Sequence, residues 1–218
     1  MPTPTQTDVI AVAPEIILAA AAGLVLLLEA YLPSLRRYFS ELTMVAVGCA
    51  IWARLTLDLP GAVWSGMLRV DQLTAFVDTY ILIAVGLAIW ISGPFLRRCE
   101  AEHGEFFALM LLASTGAMVM ASALDLLPIF LGLELLSIPL YALNAFLSRH
   151  QVSIEAGLKY FVVGAFASAF VAYGIALLYG ASGSTNLAVI GHRVIETGFE
   201  FLLLSKETVT RFWAADRG

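Results

Sequence analysis

Charge is what this sequence has least of. Only 13% of its 218 residues are Asp, Glu, Lys or Arg, against about 25% in an ordinary soluble domain. Hydrophobic residues make up 60% and the mean hydropathy is +0.88. Bilayer is the natural solvent for such a chain, and the water-soluble enzyme classes are excluded. The formal net charge of -5 never gathers into a basic stripe. Nothing would neutralise a nucleic-acid backbone, so no nucleic-acid partner is expected.

Cysteine is scarce as well: Cys49 falls in an apolar run and Cys99 in a polar loop. Without a CxxC or related spacing, no iron-sulfur or zinc site and no other metal site is expected. The three histidines, His103, His150 and His192, read as polar-loop residues, none placed to ligate haem inside a helical bundle. No GxGxxG occurs, and the glycines from Gly180 to Gly183 are not followed by the lysine that a phosphate cradle needs. The chain is therefore expected to bind no cofactor and to carry no redox or nucleotide chemistry of its own. Met1 to Ile10 holds no Lys or Arg, unlike the basic start of a cleavable signal peptide, and the first apolar run is expected to be retained.

What is present is a succession of apolar runs bounded by charged or Pro/Gly-rich segments, the pattern that backbone satisfaction in lipid imposes. With about 20 residues needed per span, six runs are predicted as transmembrane helices near 10–32, 42–57, 73–96, 106–124, 126–147 and 154–179. The expected class is all-α, a polytopic transmembrane helix bundle. One transmembrane domain is expected over 1–200, followed by a tail over 201–218. Arg54, near one end of the short second run, is expected to snorkel to the interface. Arg36 and Arg37, Arg97 and Arg98, and Arg149 lie in alternate loops, which predicts an outward-facing N-terminus; Arg193 runs against the rule. Between Leu59 and Gln72 a short strand or hairpin and an ordinary loop with Trp64 as interfacial anchor are both open.

Charge deep in lipid calls for a partner or a purpose. Glu134 stands near the middle of the fifth run, in LPIFLGLELLSIPLYALNAF. At helical period Glu134, Ser137, Tyr141, Asn144 and Ser148 share a side, forming a polar stripe from mid-membrane to one end, the shape of a half-channel. Hydrogen bonding between helices is the structural alternative for the same stripe. Lys159, early in the sixth run, follows Glu155 by four residues, so an intrahelical pair and a functional ammonium are both open. If the two runs form a hairpin, Glu134 and Lys159 differ in depth by roughly 10 Å, too far for direct contact. Pro128 and Pro139 flank Glu134 and are expected to disturb the turns before them. Gly164, Ser168 and Ala172 form a close-packing stripe. Glu29 and Asp78, acids near run ends, suit the interface or a lateral relay.

The stretches GLELLSIPLYAL, SRHQVSIEAGLKYFVVGAFASAFVAYGIALLYGASGSTNL and VDQLTAFV resemble the subunit N family of bacterial proton-pumping NADH:quinone oxidoreductase, respiratory complex I. PEIILAAAAGLVLLLEAYLP looks like that family's opening helix. The resemblance implies an antiporter-like fold of two inverted five-helix repeats, here truncated before the end of its first repeat, as an N-terminal fragment. It implies that Glu134 is the key fifth-helix glutamate and Lys159 the sixth-helix lysine of a proton path lined by Ser137, Tyr141 and Asn144. It implies further that the partners are other membrane subunits of complex I, the lipid bilayer and protons, in a bacterial inner membrane. NADH, flavin, iron-sulfur clusters and quinone would belong to those partner subunits. The tail, FLLLSKETVTRFWAADRG, does not look like the family, and Lys206 is not to be equated with a later lysine of that path. Two rivals remain open: a subunit of a multisubunit Na+/H+ antiporter, and a non-transporting membrane fragment or scaffold.

Overall fold

The computed structural model describes residues 5–99, 103–147 and 151–196. Ser148, Arg149, His150 and the tail over 201–218 lie outside them. Thr5 opens a short helix, α1 (Gln6–Ala11), through a capping box in which Thr5 and Asp8 satisfy each other's backbone N–H groups. The chain then runs through α2 (Ala13–Tyr31), a 3-10 turn over Pro33–Tyr38, and α3 (Phe39–Thr56). A β-hairpin of β1 (Gly61–Val63) and β2 (Leu68–Val70) leads to α4 (Gln72–Arg98), α5 (Gly104–Ser122), α6 (Leu126–Asn144) and α7 (Gln151–Ser182). Residues 187–196 are helical again.

Six of these helices, α2 to α7, are long and apolar enough to cross a membrane, in keeping with the all-α bundle read from the sequence. In hydrocarbon every N–H and C=O must be paired within its own helix, which is why the apolar runs fold this way. At 1.5 Å per residue the 32 residues of α7 reach about 48 Å, past a hydrocarbon core of about 30 Å. The helix outlasts its apolar run because headgroups and water tolerate a helical backbone as readily as lipid does.

The buried core lies among α2, α3, α4 and α5, where Leu18, Val25, Phe39, Leu82, Ile89, Phe107, Leu111 and Met118 are almost wholly enclosed. α6 joins on the far side of α5 through a close backbone approach at Gly116 and Gly132, as small residues permit in lipid. α7 packs against α6, where Gly164 leaves room for the ring of Tyr141.

The segment between α3 and α4 is a hairpin rather than a loop, with Gly61 opposite Val70 and Val63 opposite Leu68. Its tip places Trp64, Ser65 and Gly66 at positive φ, a conformation that only glycine takes without strain. Trp64 is held by α1: its backbone N–H donates to Asp8 Oδ1 at 2.9 Å and its indole Nε1 to the Asp8 carbonyl at 3.1 Å. Leu124 N donates to the Met67 carbonyl, while the Leu124 carbonyl accepts from Leu187 N. The hairpin, the α5–α6 connection and the segment after α7 thus form one hydrogen-bonded layer across the ends of the helices.

Two sequence expectations need correction. Pro128 stands in the first turn of α6, where its missing N–H would have had no intrahelical partner, so only Pro139 interrupts the helix interior. His192 lies in the helical stretch 187–196, four residues before Glu196 and paired with it at 3.2 Å, instead of in a loop.

Candidate functional site

Glu134 sits one residue from the midpoint of α6 and is half-buried. Its Oε1 is enclosed with no hydrogen-bond partner. An unpaired carboxylate oxygen in a low-dielectric interior is costly, and a proton or an entering water would relieve that cost. Along the same helix Ser137 is half-buried and Tyr141 buried, its ring edge-on to Tyr160 at 4.9 Å and to Phe161 at 5.7 Å. Asn144, at the end of α6, is exposed and spends its side-chain N–H on the Leu140 carbonyl of its own helix. The stripe therefore closes in from an open end at Asn144 toward Tyr141, with Glu134 about 15 Å along the helix from Asn144 at 1.5 Å per residue.

Lys159 lies on α7 with its side chain 73% exposed and pairs with Glu155 one turn earlier. None of the described hydrogen bonds or ion pairs joins it to Glu134. Within the described residues it is the surface couple that helical spacing alone allows. Of the expected small-residue stripe, Gly164 makes the close contact, a β-carbon there falling 2.0 Å from the Tyr141 hydroxyl.

A second group of charges escaped the sequence reading. Arg54 does not snorkel: it is 3% exposed. Its Nη2 lies 3.0 Å from Glu15 Oε1 and 2.7 Å from Asp78 Oδ2, and its Nη1 donates to the Ala11 carbonyl at 3.4 Å. Glu15 opens α2, Arg54 closes α3 and Asp78 stands two turns into α4, so alternating helix direction brings all three to one depth. Asp78 is wholly buried rather than interfacial. A cation and two carboxylates near those ends of three successive helices that lie on the same side were the available signal.

Glu29, at the other face, is also enclosed. It pairs with Arg36 at 2.8 Å, lies 3.8 Å from His103 Nδ1 and accepts the Gly104 backbone N–H at 3.1 Å, capping α5. Its partners here are protein groups. Among the described residues no group of three or more His, Cys, Asp or Glu could hold a metal ion.

A transmembrane family model described as NADH:quinone oxidoreductase/Mrp antiporter matches residues 123–212. NADH-quinone oxidoreductase subunit N of Trichlorobacter lovleyi is 38% identical over 187 residues, covering 85% of this chain and 38% of that protein. Subunit N of Myxococcus xanthus is 39% identical over 194 residues, 87% of this chain and 37% of its own. A chain of respiratory complex I from Thermus thermophilus superposes with a TM-score of 0.68 at 32% identity, over 80% of this chain and 38% of that one. A chain of an archaeal membrane-bound sulfane sulfur reductase shares the fold, with a TM-score of 0.63 at 23% identity over 85% of this chain and 39% of its own. The chain spans under two-fifths of the length of the subunit N proteins of Trichlorobacter and Myxococcus, and over that span it is a multi-pass membrane protein similar to subunit N and matching the NADH:quinone oxidoreductase/Mrp antiporter family model.

Proposed function

We propose that this chain serves in a membrane-arm subunit of NADH:quinone oxidoreductase and takes part in proton translocation coupled to quinone reduction. It holds no redox centre of its own; NADH, flavin, iron-sulfur clusters and quinone belong to partner subunits. The observation that carries the reading is the enclosed, unpartnered Oε1 of Glu134 at the middle of a membrane-crossing helix. A carboxyl so placed has reason to load and release a proton. Ser137, Tyr141 and Asn144 line its route to one face, and Lys159, paired with Glu155 within this chain, is the ammonium that the adjacent helix contributes to the path.

The partners are other membrane subunits and lipid. Supporting this, none of the central apolar window of α7 is buried within the chain, and Phe161, Phe166, Phe170 and Leu177 present an apolar surface for them to cover. The setting is a bacterial inner membrane, with the basic turns Arg36–Arg37 and Arg97–Arg98 on the cytoplasmic side and the hairpin outside.

The test is Glu134→Gln in an assembled quinone oxidoreductase reconstituted into vesicles. Proton uptake per electron transferred should fall while the complex stays intact, and unchanged pumping would end the assignment. Because the family model also takes in Mrp antiporters, the second reading is a Na+/H+ antiporter subunit. Sodium movement that depends on Glu134, without any dependence on quinone, would favour it.

A further inference from the structure

The cluster around Arg54 has one negative charge too many. Two carboxylates, Glu15 and Asp78, share a single guanidinium nitrogen, Arg54 Nη2, so their near oxygens lie within two hydrogen-bond lengths of each other. All three side chains are at least nineteen-twentieths enclosed. Arg54 is permanently protonated, so with both carboxyls ionised the group would carry a net charge of minus one inside the bundle. Burial of an uncompensated charge is the most unfavourable arrangement available to these groups.

The hydrogen bonding is incomplete in the same sense. Glu15 Oε2 and Asp78 Oδ1 have no hydrogen-bond partner, Asp78 Oδ2 has none beyond its 2.7 Å ion pair with Arg54, and Arg54 Nε lacks an acceptor. Two ionised carboxylates have acceptors and no donor to offer each other. One proton would supply the missing donor and cancel the excess charge together.

Among the described residues, no neighbouring element brings another ion to do so. From α1, Asp8 is engaged by Trp64 and Thr5. From the hairpin and the start of α4, Arg69 and Asp71 face each other at 4.0 Å with both side chains open to solvent. On α4, Thr74 bonds to Asp71 and to the Arg69 carbonyl, and Tyr80 is exposed. Asp58, after α3, is exposed. The charged residue of α5, Glu105, stands in its first turn, at the opposite end from the cluster.

We propose that Glu15 and Asp78 form a second proton-binding site, holding one proton between them against Arg54 on the hairpin side of the membrane. It is separate from Glu134 and does not depend on what Glu134 does. The proton comes from water and returns to it; one carboxylate becomes a carboxylic acid and the other stays ionised against Arg54. The Ala11 carbonyl on Arg54 Nη1 places α1 and the hairpin over the site as its cover.

Infrared spectroscopy of the 218-residue chain in lipid nanodiscs tests this through the C=O stretch of a protonated carboxyl. The background carries Glu134→Gln, so that Glu134 contributes nothing and the two readings fail separately. At neutral pH one carboxyl band sensitive to deuterium exchange is expected from this cluster. Glu15→Gln and Asp78→Asn should each abolish it, since either leaves one carboxylate neutralised by Arg54. Absence of any protonated-carboxyl band in the background, or its persistence in either variant, would overturn the proposal. The background spectrum alone decides the first point even if a variant fails to fold.

Discussion

Gly116 of α5 and Gly132 of α6 face each other with no room for a β-carbon on either. On Gly116 such an atom would lie 2.4 Å from the Leu136 backbone nitrogen and 2.7 Å from the Gly132 carbonyl oxygen, and on Gly132 it would lie 2.8 Å from the Gly116 carbonyl oxygen. The obstacles are backbone atoms, which cannot swing aside. Gly116→Ala or Gly132→Ala should therefore separate α5 from α6 and cost about 1–3 kcal/mol, as overpacking does. Thermal unfolding in detergent would register it, whereas Gly23→Ala, with open space around it, should be tolerated.

Arg54→Met should be the most damaging single change near the N-terminus. It strands Glu15 and Asp78 without their cation, and breaking a buried ion pair by removing one partner costs about 3–5 kcal/mol. Glu15→Gln leaves a one-to-one pair and should cost less. Yield of monodisperse protein and its unfolding temperature at neutral pH would rank the two, and the opposite ranking would mean that Arg54 is not what neutralises the cluster.

The contact between α1 and the hairpin should depend on pH. The Trp64 backbone N–H bound to Asp8, aided by bonds from Thr5, holds the Asp8 carboxyl below its ordinary value. Asp71 is lowered likewise by the Thr74 backbone N–H. A carboxyl lowered in the folded state contributes stability that is fully present above the ordinary carboxylate range and lost as pH falls through the folded value. The Trp64 indole N–H signal should thus be constant from neutral pH down to the carboxylate range and shift below it. Asp8→Asn should abolish that titration.

Asp125 caps α6 by accepting the Leu127 N–H at 3.0 Å and ties it to the segment after α7 by accepting from the Thr185 hydroxyl at 2.8 Å. Asp125→Ala should cost about 0.5–2 kcal/mol, the usual worth of an N-cap. Amide exchange should quicken at both Leu127 and Leu187. Thr185→Val should quicken only the latter, and equal quickening at Leu127 would show that the two ties are not separable.

The six spans were legible because lipid leaves a chain one way to satisfy its backbone, and about 20 apolar residues in a row have little other use. Glu134 was legible for the same reason, as a lone acid within an apolar run. Glu15, Arg54 and Asp78 were not: each lies near a run's end, where a charge has an ordinary interfacial explanation, and only the packing of α2, α3 and α4 shows that they meet. The hairpin was half legible. Strands of three residues are too short for alternation to declare itself, and the Asp8–Trp64 contact that holds the hairpin's tip comes from a residue 56 positions earlier.

The layer over the helix ends also sets an order of assembly. Leu124 is bonded on one side to Met67 and on the other to Leu187, residues that leave the ribosome long before and long after it. Spans enter the membrane in the sequence of their synthesis, yet this seam cannot close until the sixth has crossed and delivered Thr185 and Leu187 to the face where the hairpin already waits. Closure is thus a late step, because one side of the seam is supplied by residues that follow the last of the six membrane-crossing helices.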